Sequence, residues 1–162
     1  KSMASAIHST GLSIKNEAET TVIVHLVNIL VHRHAIDPKS IGIITLYRGQ
    51  SSSIQAKLMK HINTKLKSIK VSSVDGYQGA EADIIILSCT RTSEHVNKFF
   101  ESRYRINVAL TRAKRHLFLV GHDSALRASS IWSTIIAQAE RVHGVVDASV
   151  IMKAASLITF WN

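Results

Sequence analysis

Short runs of β-branched and aliphatic residues, alternating with segments that carry apolar side chains at helical spacing, constrain this chain more than any other feature. Ile41-Gly42-Ile43-Ile44-Thr45 is the clearest run: it follows Asp37-Pro38, holds no charge, and is continuously apolar up to its terminal threonine. A strand with one wet face would alternate, so this one is expected to be buried on both faces of a parallel sheet. Val71-Ser72-Ser73-Val74, Asp83 to Ser88, and Leu117 to Val120 ending at Gly121 read as further strands. Residues 17–34 place Val22, Ile23, Leu26, Val27 and Leu30 on one helical face, with Asn16 or Thr20 available as N-cap. A second helix carries the stripe Ile54, Leu58, Ile62 and Leu66, with Lys57, Lys60, His61, Lys65 and Lys67 over its remaining surface. Arg103 to Ala113 and residues 130–142 predict two more helices. The alternation predicts an α/β fold, a parallel sheet with helices on both faces.

Length and composition fit one domain spanning residues 1–162, with 46% hydrophobic residues to supply a single sizeable core. One proline and seven scattered glycines leave no linker, and no internal repeat is visible. The lone Cys89 has no partner for a disulfide or a Cys-based zinc site, and it reads as a small buried residue. His25, His32 and His34 lack the neighbours a metal site needs, so they read as solvated or capping groups and no metal is expected. No run is long enough to span a bilayer and the N-terminus lacks a signal-peptide layout, so we expect a soluble, intracellular protein, cytoplasmic or nuclear, without a membrane partner. The net charge of +9 points to a polyanionic partner, because a basic surface attracts phosphate backbones and releases their counterions.

In parallel α/β sheets the ligand sits outside the carboxyl ends of the strands. The loops expected there hold Tyr47-Arg48-Gly49-Gln50, Asp75-Gly76-Tyr77-Gln78-Gly79, and Thr90-Arg91 leading into a hydrophilic stretch through Glu101. The segment Val74 to Asp83 sets two glycines and three carboxylates around Gln78, a turn able to bring backbone N–H groups and an amide against a nucleotide, or else an ordinary surface connection. In Arg103 to Arg115, a helix would bury Ile106, Ala109, Leu110 and Ala113. It would also point Arg105 and Arg112 the same way, about 10 Å apart along its axis. Two guanidinium groups so placed suit phosphate oxygens, although a solvated basic face has the same composition.

Taken together, these segments resemble the paired motifs V and VI of superfamily 1 helicases of the up-frameshift and senataxin class. Val-Asp-x-x-Gln-Gly-x-Glu-x-Asp is matched at Val74, Asp75, Gln78, Gly79, Glu81 and Asp83. Ile84 to Arg91 is similar to the strand that follows, and Arg-x-Asn-Val-Ala-Leu-Thr-Arg-Ala-Lys is matched from Arg105 to Lys114 without a gap. Upstream, Ile41 to Gln50 resembles motif IV, with Leu46 where the family usually has proline. Ser13-x-x-Asn16-x-x-Glu19 resembles an Asn/Glu element, with Glu17-Ala18 as an alternative register. The resemblance covers about residues 13–127 and leaves 145–162 unassigned.

That resemblance implies the second, C-terminal RecA-like domain of a P-loop NTPase-type motor, acting on single-stranded RNA or DNA with a 5′ to 3′ polarity. It implies that Tyr47 contacts adenine, that Gln50, Gly79, Glu81 and Arg105 help to bind the nucleotide, and that Gln78 senses ATP state. Arg112 becomes the arginine finger, while Ser73, Ser88, Arg91 and Asn107 become nucleic-acid contacts. Neither a Gly-x-x-x-x-Gly-Lys-Ser/Thr loop nor a Walker B acidic element occurs in these residues. ATP with Mg2+ would therefore be held mainly by an N-terminal RecA-like domain, in the same or another chain, and this chain alone is expected to be inactive. The alternatives are a non-catalytic nucleic-acid-binding or regulatory module, and half of a split helicase completed in trans.

Overall fold

A computed structural model describes residues 14–60, 64–91 and 98–156. Four strands, β1 (Ile41–Thr45), β2 (Lys70–Ser73), β3 (Ala82–Ser88) and β4 (Ala113–Val120), form one sheet in the order β2-β1-β3-β4. All three pairings are parallel, with Ile44 opposite Leu87 and Ile86 opposite Phe118.

Because successive residues of a strand face opposite sides, the continuous apolar runs supply two cores at once. Ile41, Ile43, Ile84 and Ile86 pack on one face with Ile23, Val27 and Leu30 of α1 (Glu17–Asn28) and its extension, and with Ile54 and Leu58 of α2 (Arg48–Met59). Ile44, Ile85 and Leu87 pack on the other face with Ile106 and Ala109 of α3 (Arg103–Leu110) and with Trp132 and Ile136 of α5 (Ser130–Arg141). Trp132 is fully buried, and its indole N–H donates to the Phe100 carbonyl at 3.1 Å, so the tryptophan and Ile136 are core residues. This is the parallel α/β architecture, helices on both faces, that the alternation predicts.

Several boundaries differ from expectation. The helix begun at Glu17 changes to a wider π-turn over Ile29–Arg33. α2 ends at Met59, and Leu66 is carried instead by a short 3-10 turn over Thr64–Ser68; Ile62 lies outside the described residues. α3 ends at Leu110, and Ala113, expected on its buried face, opens β4 instead, with β4 beginning four residues before Leu117. The cause is the reach of β3: its first residue pairs with Ala113, and the Ala82 N–H donates to the Arg112 carbonyl at 3.1 Å, drawing the chain into the sheet. Two helices were not anticipated, α4 (Asp123–Arg127) and α6 (Ala148–Ser156). The latter lies in the unassigned C-terminal stretch and packs on α1, with Ile151 against the first core. Ser13 and Phe160-Trp161 fall outside the described residues.

Candidate functional site

The candidate residues fall into three groups. The first stands at the carboxyl ends of the strands. The Thr45 hydroxyl donates to the Tyr47 carbonyl at 2.8 Å, turning the chain from β1 into α2, for which Tyr47 is the N-cap residue. The Tyr47 ring lies against Phe99, centroids 5.1 Å apart, and the Arg105 guanidinium sits 4.3 Å from the Phe99 ring centre. Arg105 also donates from Nε and Nη2 to the Asp75 carboxylate at 3.1 and 3.3 Å, joining the loop after β2 to the first turn of α3. Tyr47, Phe99, Arg105 and Asp75 thus make one layered cluster of π faces and a cation held by a carboxylate. Tyr47 is half-buried, and its buried hydroxyl has no hydrogen-bond partner among the described residues. Phe99 was missed by sequence reasoning, because it belongs to no strand or helix pattern; the pair Phe99-Phe100 closing a hydrophilic stretch was the available signal.

The second group is internal. Gln50 and Ser88, expected to touch nucleotide and strand, have no exposed surface. The Gln50 amide donates to the Ser88 hydroxyl at 3.1 Å and to the Asn16 carbonyl at 3.2 Å, and its oxygen accepts the Asn16 N–H at 2.7 Å. Ser88 in turn donates to the Glu19 carboxylate at 2.7 Å, which also accepts the Thr90 N–H at 2.8 Å. Burial pushes the Glu19 carboxyl up to about 7, against the opposing pull of those two donors. Of the two registers open in the sequence, Asn16 and Glu19 are buried together in this network, whereas Glu17 is exposed beside Lys15. Burial and the Glu19 charge together push the neighbouring Cys89 thiol well up, so it stays protonated and inert. At the position where the family has proline, the Leu46 N–H extends the β1–β3 pairing with a bond to Ser88 O at 3.4 Å, which a proline would lack.

The third group lies at the amino ends of β3 and β4. Glu81 precedes β3 and Arg112 precedes β4. Glu81 is exposed and pairs with Lys114 at 2.8 Å; that pairing lowers the glutamate's affinity for protons, with a smaller contribution from Arg112. Arg112 is half-buried. Its Nε donates to the Val108 carbonyl at 3.0 Å and its Nη2 to the Thr111 hydroxyl at 3.0 Å, so the last turn of α3 holds the base of the guanidinium. It makes no ion pair among the described residues, and its remaining donors are uncommitted there. Gln78 and Gly79 are exposed; Gly79 has φ +79°, a conformation that favours glycine, and an added Cβ would meet nothing within 4 Å.

Two expectations therefore change. Arg105 and Arg112 do not address a common partner from one helix face, because α3 ends before Arg112, and Arg105 is bound to Asp75. The rule that ligand sites gather at the carboxyl ends finds only part of the set, since Glu81 and Arg112 are separated from Ser88 by the length of β3, roughly 20 Å. Of the other candidates, Ser73 accepts the Gly76 N–H at 3.4 Å and shapes the turn after β2. Arg91 is half-buried beyond β3, and Asn107 is exposed on α3. No group of three or more His, Cys, Asp or Glu residues among those described is placed to hold a metal ion, and no described helix is long and apolar enough to cross a membrane.

A family model described as an AAA domain matches residues 2–124. The chain belongs to that family, as the C-terminal RecA-like region of a superfamily 1 helicase of the up-frameshift type. Among its relatives, the mouse "5'-3' DNA helicase ZGRF1" is 40% identical over 141 residues, covering 85% of this chain. The pufferfish Takifugu rubripes "Putative regulator of nonsense transcripts 1" is 38% identical over 80% of the chain, and the fission yeast "ATP-dependent helicase upf1" 35% identical over 78%. The chain spans 7, 12 and 14% of the length of those three proteins.

Proposed function

We propose that residues 1–162 form a single domain, the second motor domain of an ATP-dependent helicase that moves along single-stranded RNA or DNA, and that Arg112 is its arginine finger. The observation that carries the reading is the state of Arg112. Its guanidinium is braced from behind by Val108 and Thr111, bound in no ion pair among the described residues, and adjacent to Glu81 and Lys114 at the same end of the sheet. A finger has to be pre-aimed and uncommitted, because its positive charge is used only as negative charge develops on the transferring phosphoryl group.

ATP and its Mg2+ would be held mainly by a preceding domain, since these residues carry no phosphate-cradling loop. When bound, ATP supplies the phosphoryl group whose transfer powers movement. Glu81, with Gln78 and Gly79 on the same turn, would line the nucleotide side of the cleft. Tyr47 offers the ring face not occupied by Phe99 to a base, and Arg105 supports that ring from behind Phe99. Arg91, Asn107 and the turn shaped by Ser73 would meet the strand, whereas Ser88 and Gln50 act from inside by fixing the backbone around them. The net charge of +9 favours the polyanionic strand.

The test is Arg112→Ala in the protein at its full natural length. Strand-stimulated ATP turnover is expected to fall by about 10³-fold or more, the usual scale for a lost finger. Its stability should change by no more than about 1 kcal/mol, the value of one partly exposed hydrogen bond to a helix-end carbonyl. Turnover within a few-fold of the parent would reject the assignment. A protein whose strand binding ignores ATP altogether would favour the non-catalytic module instead.

A further inference from the structure

Thr90 has φ +69°, and the Arg91 N–H bonds back to the Cys89 carbonyl at 2.8 Å, so Thr90 is the centre of a γ-turn with positive φ. That turn is rare and strained, and a β-branched residue is among the least suited to it. Thr90 is fully buried, its own hydroxyl has no hydrogen-bond partner among the described residues, and its amide is held by Glu19. A strained residue persists only where its surroundings over-determine it. Here the determining group is a carboxylate 71 residues away in the chain, on the first turn of α1.

We infer that Glu19 is a positioning residue that locks the strained turn at the end of β3 and ties it, through Ser88 and Gln50, to the head of α2 beside Tyr47. The consequence is a set path for Arg91, which leaves the turn directly. The inference rests on the motor reading above for what the turn is positioned to do.

The donors around Glu19 suit an ionised carboxylate. Ser88 Oγ and the Thr90 N–H both reach Oε2, and Asn16 Nδ2 approaches Oε1 at 3.4 Å, so protonation turns one acceptor into a competing donor. Among the described residues, those joined to it in this network are Asn16, Thr20, Gln50, Ser88 and Thr90, all neutral, with the Cys89 thiol close by.

The experiment compares the full-length protein with its Glu19→Gln, Thr90→Gly and doubly substituted forms. Two readouts are used, hydrogen exchange across residues 88–91 and the ratio of strand-stimulated to basal ATP turnover from pH 6 to 8. Glu19→Gln should speed exchange at Thr90 and Arg91 about ten-fold. It should also lower the stimulation ratio several-fold while leaving basal turnover within two-fold. Thr90→Gly adopts the turn without strain, so adding it to Glu19→Gln should restore the ratio; a merely structural role for Glu19 would not be rescued this way. Parental exchange at Thr90 in Glu19→Gln overturns the inference whatever the turnover does, as does failure of the double variant to recover. If Glu19→Gln fails to fold, Ser88→Ala, which removes one donor from the same carboxylate, must reproduce the faster exchange or the inference falls. Altered exchange in a protein whose parent shows no strand stimulation would instead reject the motor reading and leave Glu19 as the lock of the turn.

Discussion

Replacing Glu19 with glutamine should make this domain more stable at alkaline pH than the parent, although it removes a carboxylate that accepts two short hydrogen bonds. Burial raises the Glu19 carboxyl from its ordinary 4.5 to about 7 in the folded chain. Between those values the folded state holds a proton that the unfolded state has released, so stability falls as pH climbs through the interval and is level on either side. At about 1.4 kcal/mol per pH unit, the full cost of ionising Glu19 in place is about 3 kcal/mol. Glutamine has the same shape, keeps one acceptor, and does not titrate. At pH 4.5 the two proteins should differ by no more than about 1 kcal/mol, one imperfect hydrogen bond. At pH 8 the variant should have gained about 3 kcal/mol relative to the parent. The assay is urea unfolding of both forms at intervals from pH 4.5 to 8, compared through their midpoints and slopes. A stability difference that stays constant across the series, or one that moves in favour of the parent with rising pH, refutes the argument, because either means that the donors outweigh burial.

Gly42→Ala would place a methyl group 1.9 Å from the Tyr77 hydroxyl oxygen and 2.9 Å from Ile85 Cδ1, inside a closed core. It should cost about 1–3 kcal/mol in unfolding measurements, and Tyr77→Phe in the same background should recover part of that cost. Trp132→Ala empties the largest fully buried side-chain site among the described residues and removes the indole's bond to the Phe100 carbonyl, so a loss of about 3–5 kcal/mol is expected in the same assay, while a loss under 1 kcal/mol would show that α5 is not part of the core. In the full-length protein, Tyr47→Ala should raise KM for ATP several-fold with kcat little changed. If strand affinity falls instead, the aromatic cluster at the carboxyl ends serves the strand and not the base.

The sheet was legible because burial on both faces leaves a plain trace in sequence: Ile41–Thr45 and Ile84–Leu87 have no polar alternation to misread. β4 was legible only in its apolar half. Ala113, Lys114, Arg115 and His116 have the composition of an exposed helix end, and they are strand because β3 offers them a partner, a fact about residues some 30 positions earlier in the chain. α6 went unread since its packing surface, α1, lies at the other end of the sequence. At the site, the residue types were readable and their commitments were not. Nothing in the local pattern distinguishes Arg112, held only at its base, from Arg105, bound to Asp75, and nothing shows that Gln50 and Ser88 point inward. Those outcomes depend on which side chains tertiary folding brings within 3 Å.

Two rigid elements run between the ends of the sheet where the candidate residues gather. β3 connects Glu81 to Ser88 and the turn at Thr90; α3 connects Arg105 to the carbonyl of Val108 that braces Arg112. Both lie in one apolar cluster, where Ile106 and Ala109 pack with Ile85 and Leu87 at full burial, so neither can slide without opening a dense core. If Arg112 meets a nucleotide as proposed, a load on it would be shared by the whole helix and would reach Arg105 against Phe99 and Tyr47 at the carboxyl ends of the strands. The turns at the strand ends, the one at Thr90 among them, lie outside both elements. On the motor reading, a nucleotide-dependent change in strand grip would then fall on the turns and not on β3 or α3, and Glu19, which holds the Thr90 amide, would set its extent.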